Sequence, residues 1–247
     1  MIQSFFQALG FLTRIPVPRN LDPDAWKSSP PWYPVVGLLI GVLLASVGSA
    51  LEFVTPPLVE GMLVLTCWVY LTGGLHLDGL MDTADGFGSY RSRERILEIM
   101  KDSRVGGMGV LAAILVLGNK LAALFSLHAG LQIVALVVAP MMGRGAMMAA
   151  MYLFPYAREE GLGLSLRTSG RAFGWSFFLL IVAVFVAKGG VVAVFTCGLT
   201  LVASTLIIRS SMKKIGGLTG DVYGTICEVT EAVVLLAFVV AEKLLWN

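Results

Sequence analysis

Gly73-Gly-Leu-His-Leu-Asp-Gly-Leu-Met-Asp-Thr-Ala-Asp-Gly-Phe-Gly-Ser-Tyr90 places three aspartates and a histidine between two long apolar segments. Acids beside a membrane are costly unless they bind something, so this stretch is where the chemistry is expected. Working outward, the rest of the chain is greasy. Apolar residues make up 57% and charged residues 14%, and the mean hydropathy is +0.83, outside the usual range of a soluble domain. The composition reads as a polytopic, all-α membrane bundle forming a single domain over residues 1–247. A formal net charge of +2 gives no reason to expect nucleic acid.

Seven runs are long or apolar enough to cross a bilayer, near residues 34–54, 58–75, 108–127, 131–153, 174–188, 190–208 and 226–246. Tight links join them in pairs: Thr55-Pro-Pro57, His128-Ala-Gly130 and the Lys188-Gly189 turn. The other connections are long and charged, at 1–33, 76–107, 154–173 and 209–225. Fourteen of the eighteen Lys and Arg residues fall on that long-loop side. By the positive-inside rule the long loops face the cytoplasm, as in a bacterial inner membrane. Lys120 and Arg144 lie within spans, where a lipid-facing charge costs several kcal/mol, so they point into the bundle as an ion pair or a substrate contact. Residues 1–33 form an interfacial segment, because the apolar residues of 1–14 have helical spacing but cannot span. Gly37/Gly41 and Gly143/Gly145 suggest close helix packing. Cys67, Cys197 and Cys227 have no metal or disulfide spacing and read as packing residues.

Asp78, Asp82 and Asp85 are spaced i, i+4, i+7, which on a helix puts three carboxylates within an arc of about 60°. A divalent cation would relieve their repulsion, and an all-oxygen set suits Mg²⁺ better than zinc. The alternative is that one acid caps a broken helix at Gly79 or Gly86. His76 is as much a capping group as a ligand. Lys101-Asp-Ser-Arg104 before Gly106-Gly107 joins fixed charge to free amides, as a phosphate cradle does. Arg158, Glu159 and Glu160 sit in a second charged loop. Asp221 and Glu228 are seven apart and share a face if the last helix starts early. The features together describe a phosphate-handling, Mg²⁺-assisted transfer at the mouth of an apolar bundle.

Five strings carry a resemblance: Phe11-Leu-Thr-Arg-Ile-Pro-Val-Pro18, Gly73 to Gly86 of the opening stretch, Met100-Lys-Asp-Ser-Arg-Val-Gly106, Tyr156-Ala-Arg-Glu-Glu-Gly-Leu-Gly163 and Gly217-Leu-Thr-Gly-Asp221. In order and spacing they resemble the adenosylcobinamide-GDP ribazoletransferase, or cobalamin-5'-phosphate synthase, family. The resemblance implies attack of the ribose 3'-hydroxyl of α-ribazole or its 5'-phosphate on adenosylcobinamide-GDP, with release of GMP and a requirement for Mg²⁺. It implies Asp78, Asp82 and Asp85 as metal ligands, Asp82, Asp85, Asp221 and Glu228 in catalysis, and His76, Lys101, Asp102, Arg104, Arg158, Glu159 and Glu160 in substrate binding. Its expected partners are those two substrates and the lipid bilayer, with a homo-oligomer or other cobalamin-synthesis enzymes as further candidates. Two other classes compete. Intramembrane prenyltransferases use two acid-rich motifs, which Asp221 to Glu231 could imitate. A secondary transporter would use Lys120, Arg144 and Glu228 for coupling, but the chain shows no internal repeat.

Overall fold

A computed structural model of the protein describes residues 1–159 and 171–245, and among them it is helical with no strands. The helices in chain order are α1 (Ile2–Leu12), α2 (Tyr33–Leu51), α3 (Pro57–Thr72), α4 (Leu75–Gly88), α5 (Arg93–Ile99), α6 (Gly107–Ser126), α7 (Ala129–Leu153), α8 (Arg171–Ile215) and α9 (Gly220–Leu245). Two short 3-10 turns link α1 to α2.

Five helical stretches are long and apolar enough to cross a membrane, and α3 with α4 makes a sixth if that bent pair counts as one span. They match five of the seven expected spans, and α3 is the sixth. The seventh, 174–188, is the first arm of α8. That helix breaks at Gly190, which adopts φ 53° and ψ −131°. Phe178 and Val182 before the break line the same cavity as Thr200 and Ser204 after it. A straight helix would hold residues 178 and 204 about 39 Å apart, so the chain reverses at Gly190, one residue beyond the expected turn. The outer faces remain apolar: Leu111, Ile114 and Leu115 on α6 and Val194, Leu201 and Leu206 on α8 are exposed, as lipid-facing side chains are.

α7 and α9 are the most buried of these helices, and α2 packs tightly against α7. A Cβ at Gly41 would lie 2.7 Å from the Leu136 carbonyl oxygen and from Val137 Cα, so the two backbones touch where the glycines predicted it.

What positions the site is the α3–α4 bend. Gly73 and Gly74 both take left-handed φ, 65° and 71°, a conformation that costs glycine little. Their amides close the end of α3 on the Val69 and Tyr70 carbonyls, a Schellman-type stop. The chain then restarts as α4 at 88° to α3. From there α4 runs over the long-loop ends of α6 and α9. Its Gly79 meets the Asp221 backbone, where a Cβ would come within 2.9 Å, and Gly224 of α9 meets the His76 carbonyl at the same distance. Tyr90, with φ 52°, follows the end of α4.

Gly41→Leu is expected to abolish the monodisperse peak of the detergent-solubilised protein in fluorescence-detected size exclusion, because neither backbone can withdraw. Gly118→Ala, with nothing within 4 Å of its Cβ, is expected to leave the peak unchanged. A normal Gly41→Leu profile would contradict the α2–α7 contact.

Candidate active site

Three segments converge at the long-loop end. The first is α4. The second is the loop after α7, where the Ala157 amide donates to the Leu218 carbonyl and the Leu218 amide to the Pro155 carbonyl, both at 2.8 Å. That pairing sets Arg158 beside the start of α9. The third is α9 itself, which begins at Gly220 and so puts Asp221 in its first turn, where the helix dipole favours an acid. Arg158 Nη2 donates to Asp221 Oδ2 at 2.8 Å, and the Thr219 hydroxyl reaches the same oxygen at 3.2 Å. Asp78, Asp221, Arg158 and His76 line one cavity of about 280 Å³, whose apolar walls include Phe11 and Met151.

The three α4 aspartates do not share one job. Asp78 is exposed at the cavity, and Asp82 is half-buried one turn on. Asp85 turns to α6: its carboxylate accepts the Gly106 amide at 2.7 Å and the Gly109 amide at 2.8 Å, capping that helix. Capping was foreseen as an alternative for one acid, but at a glycine of α4 itself rather than at another helix. Burial, then the charges of Asp78, Asp221 and Asp85, raise the Asp82 pKa from 3.8 to about 6.

The other expected residues are more scattered. Glu228 lies deeper in the bundle, away from the aspartates, where it accepts from Lys120 Nζ at 2.7 Å. Lys120 also donates to Glu231, at 2.5 Å, and Glu231 holds Arg144 as well. The two intramembrane cations therefore pair internally, as a low-dielectric setting requires. His76 is buried, with Nδ1 3.4 Å from Arg144 Nη2. Lys101, Asp102 and Arg104 do not line the cavity. Arg104 folds back onto Asp102, Nη2 to Oδ2 at 2.6 Å, in an exposed pair that holds the Asp102 carboxyl down at about 2. Glu159 is exposed, and Glu160 lies outside the described residues.

Two cations that sequence reasoning passed over fasten the site. Arg93 donates through Nε to the Ile215 carbonyl and through Nη2 to the Ala157 carbonyl, both at 2.9 Å. Lys214 donates to the Phe87 carbonyl at 3.0 Å. Their partners are backbone oxygens, which carry no residue-type signal.

No three His, Cys, Asp or Glu side chains among the described residues are close enough to hold an ion alone. Mg²⁺ does not need that, since it is bound by one or two carboxylates, water and substrate phosphate. The all-oxygen donor set that Asp78, Asp82 and Asp221 offer at one end of the bundle, where burial and then the neighbouring acids lift Asp82, fits such an ion.

Fold and site define a polytopic helical membrane protein with an acid-lined pocket at one end of the bundle. A family model described as cobalamin-5-phosphate synthase matches residues 4–239, and the chain belongs to that family. It is similar to proteins named adenosylcobinamide-GDP ribazoletransferase. The one from Brevibacillus brevis is 45% identical, covering 96% of this chain and 98% of its own length. Those from Roseiflexus and Pseudomonas fluorescens are 42% and 41% identical, covering 93% and 94% of this chain and 86% and 97% of their own. No solved structure matches. The chain is an enzyme of this transferase family.

The folded pKa of Asp82 lies above its ordinary 3.8. Between those two pH values the folded state therefore binds more protons than the unfolded state, and stability rises as pH falls. Without divalent ions, Asp82→Asn is expected to melt higher than wild type at pH 7.5, with the gap closing below about pH 4, once wild-type Asp82 is protonated in both states. Asp85→Ala, which uncaps α6, should melt about 2–6 °C lower. The reverse order would contradict the assigned division of labour.

Proposed function

We propose that this enzyme joins adenosylcobinamide-GDP to α-ribazole, or to α-ribazole 5'-phosphate, giving adenosylcobalamin or its 5'-phosphate and GMP. The observation that carries the reading is the near full-length similarity to adenosylcobinamide-GDP ribazoletransferases, joined to a pocket that offers acids and an arginine to a diphosphate. The new bond runs from the ribose 3'-oxygen to the corrinoid-side phosphorus. The diphosphate bridge breaks, GMP takes the electron pair, and the hydroxyl proton is released.

Asp78, Asp82 and Asp221 are the oxygen donors that would hold Mg²⁺, which when bound supplies charge neutralisation on the leaving phosphate. Asp85 is committed to α6 and steadies α4. Arg158 is placed to bind a phosphate oxygen: Nη2 is held by Asp221, while Nε is buried without a partner among the described residues. The pocket faces the cytoplasm of the cell membrane in this reading, because the described long connections at its end of the bundle carry most of the described Lys and Arg residues.

One experiment tests reaction and orientation together. Inverted membrane vesicles given adenosylcobinamide-GDP, α-ribazole and Mg²⁺ without a gradient are expected to release GMP and form the cobalamin product. Right-side-out vesicles should do so only after permeabilisation, and EDTA should stop both. Asp82→Asn should lower turnover about a hundredfold or more. Folded protein that forms no product, or that forms it only from the outer face, would overturn the proposal.

A further inference from the structure

His76 sits in the first turn of α4, is 3% exposed and lines the cavity. Its Nδ1 lies 3.4 Å from Arg144 Nη2. A guanidinium has donors only, so Nδ1 must offer its lone pair, and the ring proton then sits on Nε2. Nε2 is buried and has no hydrogen-bond partner among the described residues. A buried N–H left unpaired carries its full desolvation cost unless a ligand supplies the acceptor.

The arrangement behind the ring is built to keep that tautomer. Arg144 is fully buried and held by Glu231, which Lys120 holds from the other side. Lys120 is itself fixed by Glu228 and stacks over the Trp68 ring at 4.5 Å. The groups that set the histidine therefore come from α3, α6, α7 and α9, none of which supplies the ring. Across the cavity, Arg158 is the only other nitrogen-bearing side chain in the described lining, and its Nε is also without a partner among the described residues. Two unpartnered nitrogen donors on side chains that line a pocket whose other charged groups are carboxylates suit an anionic oxygen whose charge a cation shares with those acids.

Resting on the transferase reading, we propose that His76, held by Arg144 in the Nε2-protonated form, donates a hydrogen bond to a phosphate oxygen of the diphosphate donor substrate. His76 touches substrate in this assignment, and Arg144 acts through it as a positioning residue. Sequence reasoning placed His76 among substrate-binding candidates without a nitrogen, a tautomer or a contacted atom.

The test compares His76→Leu, which keeps the bulk, His76→Gln, whose amide N–H reaches near the Nε2 position, and His76→Asn, whose amide falls short of it. All three are first checked for folding by size exclusion and melting. His76→Leu and His76→Asn are expected to lose about thirtyfold in kcat/KM for adenosylcobinamide-GDP, the scale of one hydrogen bond to a charged group. The KM for α-ribazole should stay within about twofold, and His76→Gln should recover to within about fivefold of wild type. Active wild type with an unchanged His76→Leu kcat/KM, a His76→Gln as impaired as His76→Leu, or a loss confined to α-ribazole would overturn this inference alone. Wild type that makes no product would overturn the transferase reading and this inference with it.

Discussion

Charge burial in an apolar bundle is the constraint on which the rest depends. Lys120, Arg144, Glu228 and Glu231 are all nearly or fully inaccessible, and they come from α6, α7 and α9. Two cations and two anions balance, so the group adds no net charge to the interior. Lipid offers no alternative partner, and a lone member would be left as an uncompensated charge. These pairs form only when three helices share one register. A buried ion pair is weak evidence for stability, because the desolvation cost offsets much of the attraction. Its better-attested use is to specify a single arrangement, and here that arrangement sets the depth of α9 and the position of Arg144 beneath His76.

The active end follows from that register. With α9 fixed, Asp221 stands at its first turn, and Gly79 and Gly224 let α4 lie backbone to backbone across it. The left-handed pair Gly73 and Gly74 turns α4 out of the spanning direction, so its aspartates face the loops rather than lipid. Arg93 and Lys214 then fasten the surrounding segments through backbone carbonyls. The site is thus a small polar surface on a rigid apolar base, a setting in which bound charges are little screened and well oriented.

The spans were legible because a bilayer demands about 20 apolar residues and leaves few other readings of such a run. The α8 reversal was legible from Lys188 and Gly189, and the close packing of α2, though not its partner α7, from Gly37 and Gly41. The acids of α4 were legible as a group because a helical period links residues that are close in sequence. Partnerships across the chain were not. Lys120 meets Glu228 from 108 residues away and Arg144 meets Glu231 from 87, and no local pattern marks such pairs. Glu228 satisfied the face-sharing rule with Asp221, yet two turns of helix carry it away from the pocket and onto Lys120. Asp85 had the right spacing for the acid cluster, but the amides at the start of α6 took its carboxylate. Gly106-Gly107 is the available signal, and free amides after a charged run suit substrate phosphate as well as a neighbouring carboxylate.

The central claim is the proposal that Asp78, Asp82 and Asp221, drawn from two helices, hold one divalent ion together with water and substrate phosphate. Mn²⁺ binding to the purified protein with adenosylcobinamide-GDP present and α-ribazole absent, followed by electron paramagnetic resonance, tests it without turnover. The account predicts one site in wild type that is lost in Asp82→Asn and Asp221→Asn and kept in Asp85→Asn and Glu228→Gln. Equal Mn²⁺ binding by wild type, Asp82→Asn and Asp221→Asn would contradict it.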